Sequence, residues 1–107
     1  MLAAMNVLPG IANLGEFIDT LRSLSLGNVM VRLGDGAGSC VLDGAVVYHS
    51  YETLRAWGLI YEFKNPRGFP HAQYYRLTDA GREFAERAWR EWVTRPLWQR
   101  MALRLAH

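Results

Sequence analysis

Residues 54–81 read LRAWGLIYEFKNPRGFPHAQYYRLTDAG, and the rest of the chain is organised around them. Leu54–Trp57 closes a helical stretch at Gly58, a residue suited to the left-handed turn that ends a helix. Two β-type segments follow, Leu59–Lys64 and Ala72–Leu77. In the first, Ile60, Glu62 and Lys64 alternate with Leu59, Tyr61 and Phe63, the period-two pattern of a half-buried strand. The second carries Tyr74, Tyr75 and Leu77, side chains that suit a pleated surface. Between them, Asn65-Pro66-Arg67-Gly68-Phe69-Pro70 cannot continue a ladder and is read as a loop longer than the tightest hairpins. Arg67 stands at its tip, with Lys64 and His71 at its shoulders. Thr78 is a plausible N-cap for a further helix, with Asp79 at the favourable end of its dipole. The predicted order is helix, hairpin, helix.

Working outward, Val46–Trp57 has helical spacing, with Val47, Tyr51 and Leu54 on one face and Tyr48, His49, Glu52, Thr53 and Ala56 on the other, Arg55 at its flank. Upstream, Asn28–Leu42 alternates as a β hairpin would, around the glycine-rich segment 34–39, and Asp43-Gly44 marks another turn. Asn13 is expected to cap a helix that runs to Gly27, with Glu16 completing a capping box and Leu14, Phe17, Ile18, Leu21 and Leu24 as its apolar stripe. Residues 1–12, interrupted by Pro9-Gly10, read as an arm. Downstream, Ala80, Phe84, Ala88 and Trp92 recur at four-residue steps, with Gly81, Ala85 and Trp89 beside them, among charges of both signs. Pro96 predicts a break near Thr94-Arg95. Leu97, Trp98, Met101, Ala102 and Leu105 then form a wide apolar surface, with Arg100 and Arg104 outside it.

The run "GLI" at Gly58–Ile60, the basic turn with Pro and Gly, and "YYRLTDAGREFAERA" at 74–88 resemble the second half of a winged-helix domain of small bacterial and phage transcription regulators. The resemblance covers about 46–88. It implies that the helix ending at Gly58 is a recognition helix, the hairpin a wing, and the helix after "RLT" one that packs back on the core or dimerises. The first half of the chain departs from the pattern, because a hairpin is expected at 28–42 where the family has a second helix.

Composition narrows the function classes. With 107 residues, half of them apolar and about a fifth charged, one globular domain is expected. The net charge of +2 hides an asymmetry: residues 1–57 carry three Arg against five acids, whereas residues 58–107 carry nine Lys/Arg against five. The basic surplus thus falls on the wing and the C-terminal helices, where a phosphate backbone can be met. Cys40 is the only cysteine, which excludes a disulfide framework or a thiolate-paired metal site and suits a reducing cytoplasm. No signal peptide or membrane span is legible. His49, His71 and His107 lack any catalytic or ligand context, and 34–39 lacks the P-loop Lys and the GxGxxG fingerprint. No enzyme activity, metal or cofactor is expected.

The expectation is therefore an α+β winged helix: an arm at 1–12, a domain at 13–93 with N-terminal helix, abbreviated helix-turn-helix region, β-hairpin wing and C-terminal helix, and a further helix at 94–107. The expected partner is double-stranded DNA, read in the major groove by the helix at about 46–57 through Tyr48, His49, Ser50, Glu52, Thr53 and Arg55. The wing at about 64–71 would lie on the backbone or minor groove through Lys64, Arg67 and His71, with Arg76 along the hairpin. A homodimer is expected through Phe84, Ala88, Trp92, Leu97, Trp98, Met101 and Leu105. The alternative, favoured by Glu52 and the acidic first half, is a winged-helix protein-interaction module that does not touch DNA.

Overall fold

A computed structural model describes residues 13–34 and 39–105. The arm at 1–12 and the centre of the glycine-rich segment, 35–38, lie outside the described residues. The order is α1 (Leu14–Ser25), β1 (Met30–Leu33), β2 (Ser39–Leu42), β3 (Ala45–Val47), α2 (Ser50–Ala56), β4 (Ile60–Phe63), β5 (Ala72–Leu77), α3 (Asp79–Val93) and α4 (Leu97–Leu105). The five strands form one antiparallel sheet in the order β3-β2-β1-β5-β4. The class is α+β.

The helices gather on one face of the sheet, with α1 in contact with α2, α3 and α4. Strand alternation sends Met30, Cys40, Leu42, Val47, Tyr75 and Leu77 to that face, where they meet Phe17, Ile18, Leu21, Leu54, Ala85, Ala88 and Trp92 in one core. Phe17, Trp57 and Phe84 join α1, the end of α2 and α3 edge to face, with ring centroids 6.0, 6.2 and 5.8 Å apart. Such pairs contribute about 0.5–1.5 kcal/mol each beyond their burial. The other sheet face carries Val31, Leu33, Val41, Val46, Phe63 and Tyr74, and its ends are open to solvent at Leu33 and Val46.

Much of the expected punctuation is observed. Gly27 and Gly58 take positive φ of 99° and 68° just past α1 and α2. The 28–42 hairpin pairs Met30 with Leu42 and Leu33 with Ser39. Thr78 caps α3, its hydroxyl accepting from the Gly81 amide at 2.9 Å and donating to the Gly58 carbonyl at 2.8 Å. The chain breaks at Thr94-Arg95, where the Arg95 amide donates to the Trp92 carbonyl before Pro96.

Three expectations are corrected. Asn13 sits in the left-handed region at φ 54° and its side chain makes no cap bond to α1, so the capping box with Glu16 does not form. The helix expected from Val46 begins at Ser50, because Asp43 and Gly44, both at positive φ (50° and 79°), make a tight turn that returns Ala45–Val47 as a third strand against β2. On α3, Gly81, Ala85, Ala88 and Trp92 are buried and Phe84 and Trp89 pack on the core, but Ala80, expected in the same row, faces solvent. On α4, Leu97, Trp98, Met101 and Ala102 form an exposed apolar surface, and Arg100 lies outside it, half-buried.

Candidate nucleic-acid interface

The candidate surface is built by α2, the strand ends beside it and the loop between β4 and β5. Helix α2 has only seven residues, too few to persist alone, and its start is held from outside. The Glu16 carboxylate accepts from the Tyr48 amide at 2.8 Å, the His49 amide at 2.9 Å and the Ser50 hydroxyl at 2.7 Å. Burial pushes this carboxyl up, but the Ser50 hydroxyl, the two amides and the charge of His49 outweigh it and hold Glu16 below the ordinary glutamate range. Leu54, fully buried, seats the helix on the core.

These contacts redistribute the residues expected on a recognition helix. Tyr48 and His49 precede α2 on its entrance and are exposed. Ser50 is 2% exposed and engaged by Glu16, so it is withdrawn from any groove. Thr53 is half-buried, and Glu52 and Ala56 face solvent. Arg55 is exposed but tethered, its Nη1 donating to the Tyr51 hydroxyl at 3.1 Å and the Tyr75 hydroxyl at 3.2 Å.

The 64–71 loop is ordered by its own contacts. The Asn65 side chain accepts from the Arg67 amide at 3.1 Å, and the Asn65 carbonyl from the Gly68 amide at 2.9 Å. The Tyr74 hydroxyl accepts from the Phe69 amide at 2.8 Å. Gly68 lies so close to the Tyr74 ring that a Cβ there would collide with it. Lys64, Arg67, Phe69 and His71 are all exposed, beyond the last ladder pairs Phe63–Tyr74 and Leu33–Ala72. Arg76 lies on the open sheet face with its guanidinium 4.6 Å from the Phe63 ring centroid. The structure thus brings Lys64, Arg67 and His71 onto one loop and leaves Arg76 apart from α2.

A group that the sequence pattern did not single out lies between α2 and the loop. Arg32, at the end of β1, has its guanidinium 4.9 Å from the Tyr51 ring centroid and donates to Gln73 Oε1 at 3.1 Å. The Tyr51 and Tyr75 hydroxyls are 2.9 Å apart. The signal available for this group is the register that places Arg32 opposite Gln73, which is a pairing between strands 41 residues apart.

The expected dimer residues divide in two. Ala88 and Trp92 are buried inside the single chain and Phe84 packs on the same core, which withdraws them from an interface. Leu97, Trp98 and Met101 are exposed, at 65%, 71% and 55%. The Leu105 side chain lies outside the described part. Among the described residues no cluster of His, Cys, Asp or Glu is arranged to hold a metal ion, and no helix is long and apolar enough to cross a membrane. Comparison with protein-family models, with curated proteins and with solved structures finds no match.

Proposed function

We propose that this chain is a winged-helix transcription regulator of bacterial or phage type that binds duplex DNA in the cytoplasm as a homodimer. The observation that carries the reading is the direct succession of a short exposed helix, α2, and a hairpin whose tip presents Lys64, Arg67 and His71 past the end of the sheet. In this reading α2 faces the major groove with Glu52 and Thr53, joined by Tyr48 and His49 from its entrance. Glu52 opposes phosphate but accepts from a cytosine amino group, which assigns it to the base side. The loop lies along the neighbouring backbone or minor groove, where its cations supply affinity without sequence preference.

The test is a mobility shift on mixed genomic duplexes at two salt concentrations. Binding that weakens steeply with salt is expected, and absence of any shift at low salt overturns the reading. Arg67→Ala is expected to lower affinity on every sequence by a similar factor. A second reading, a protein-interaction module, is favoured by the exposed Leu33, Val46, Tyr61 and Phe69. It predicts no salt-dependent DNA binding, so the same experiment separates the two.

A further inference from the structure

The cluster between α2 and the hairpin has more hydrogen-bond donors than acceptors. Its acceptors are the Tyr51 and Tyr75 oxygens and Gln73 Oε1. Arg55 donates to both tyrosines and Arg32 to the glutamine. The two hydroxyls share one hydrogen between them at 2.9 Å. Tyr75 is fully buried, and burial together with the bond to Tyr51 pushes its hydroxyl up to about 12 against the pull of Arg55. Either hydroxyl can be the donor of the pair, and whichever donates, the hydrogen of the other is not used in their bond. Most N–H groups of Arg55 are likewise unspent, since a guanidinium carries five and only Nη1 is engaged. Buried Arg32 Nε has no hydrogen-bond partner among the described residues.

Two guanidiniums thus flank one tyrosine ring, at 4.9 and 6.0 Å from its centroid. No described carboxylate forms an ion pair with either. Glu62, opposite Tyr75 across the β4–β5 pair, bonds to neither of them. A like-charged pair with surplus donors calls for an anion, and stacking on tyrosine fixes where the planar forks lie. The cluster lies at the end of the sheet from which the 64–71 loop emerges, since Arg32 pairs with Gln73 and Gly34 donates to the His71 carbonyl.

We propose that Arg32 and Arg55, with the Tyr51 hydroxyl, form a clamp for a backbone phosphodiester of duplex DNA, crossing between α2 and the wing. The proposal rests on the DNA-binding reading above and adds Arg32, Tyr51 and the positioning residues Gln73 and Tyr75 to that surface. A forked, stacked guanidinium holds a phosphate by geometry as well as charge, so the clamp fixes how deeply α2 sits without reading sequence.

The experiment is fluorescence anisotropy of the full chain on labelled duplexes of mixed sequence, titrated across salt. Arg32→Gln and Arg55→Gln are each expected to reduce the slope of log affinity against log salt by about 0.9, equally on all sequences. Arg32→Lys restores the slope, because the charge remains. Arg90→Gln, on the exposed face of α3 beside Glu86, leaves it unchanged. Melting curves establish that each variant is folded, and exposed Arg55 carries the test should Arg32→Gln unfold. Slopes unchanged in folded variants overturn the clamp while DNA binding stands. An equal drop in Arg90→Gln also overturns it, because the effect is then one of net charge. If the unaltered chain binds no duplex at low salt, the DNA reading itself falls and takes the clamp with it.

Discussion

Glu16 is the residue on which α2 depends. Its carboxylate closes two backbone amides and one hydroxyl more than thirty residues away, replacing the cap that no neighbouring side chain supplies. Hydrogen bonds to a charged acceptor contribute about 1.5–3 kcal/mol when well buried, and less at a partly exposed site such as this. Glu16→Gln retains the shape but turns an amino group toward an amide or hydroxyl donor, so a loss of about 1–2 kcal/mol at neutral pH is expected. Because the folded carboxyl sits below its ordinary value, its stabilisation is fully present above the ordinary glutamate range and is lost as pH falls through the folded value. Chemical denaturation of the two chains should therefore show a gap at pH 7 that closes on acidification. A gap of equal size at pH 7 and pH 3 would contradict this role. In the sequence, Asn13 and Glu16 have the spacing of a local capping box, and nothing local indicates that the carboxylate turns to another helix instead.

The elements from α2 to α3 are set against one another at a single joint, and there the sequence is most legible. Gly58 ends α2, Thr78 begins α3, and the Thr78 hydroxyl ties both ends by bonding Gly58 and Gly81. Gly81 lies against the Leu59 carbonyl so closely that a Cβ would overlap it, which no side-chain adjustment relieves. Gly81→Ala is accordingly expected to cost about 2–3 kcal/mol, even though alanine is the better helix former. A urea midpoint equal to or above that of the unaltered chain would refute the close seating of α3 on the start of β4. Punctuation of this kind is local: a glycine stop, a Pro/Gly loop and a threonine cap each act within a few residues, so they can be read in order. The boundary at 45–50 could not be read that way. Val47, Tyr51 and Leu54 have helical spacing, but Asp43-Gly44 turns the chain so that Val46 meets Val41 and Val47 meets Cys40. The cross-strand partners and Glu16 decide where the helix starts, and both are distant in sequence. The same holds for Arg32, whose place beside Tyr51 depends on sheet register.

Burial in the folded chain separates the two C-terminal helices. The spacing of α3 offers Ala88 and Trp92 equally to a core or to a second copy, and packing against α1 and the sheet assigns them to the core. Helix α4 differs. It rests on α1 with Arg100 half-buried, and the Arg95–Glu91 pair at 3.3 Å, 21% and 10% exposed, holds the turn that leads into it. Leu97, Trp98 and Met101 are left on its outer side, at one helical turn's spacing. A tryptophan 71% exposed beside two other large apolar side chains suits a two-fold contact in which α4 of each copy covers the other. Under the regulator reading, that contact sets two α2 helices for half-sites about one helical turn of DNA apart. Sedimentation equilibrium of the full chain should give a dimer, and Trp98→Glu with Met101→Glu a folded monomer whose melting temperature, unlike the dimer's, does not change with protein concentration, because neither side chain supports the single-chain core. The monomeric variant should bind one half-site and lose the added affinity of the second. A full chain that remains monomeric at tens of micromolar (a concentration well above the Kd of a nanomolar to micromolar complex) would rule out the α4 dimer. A double variant that remains dimeric would shift the contact to the open sheet face, where Leu33, Val46 and Tyr61 are exposed apolar side chains of the central and edge strands.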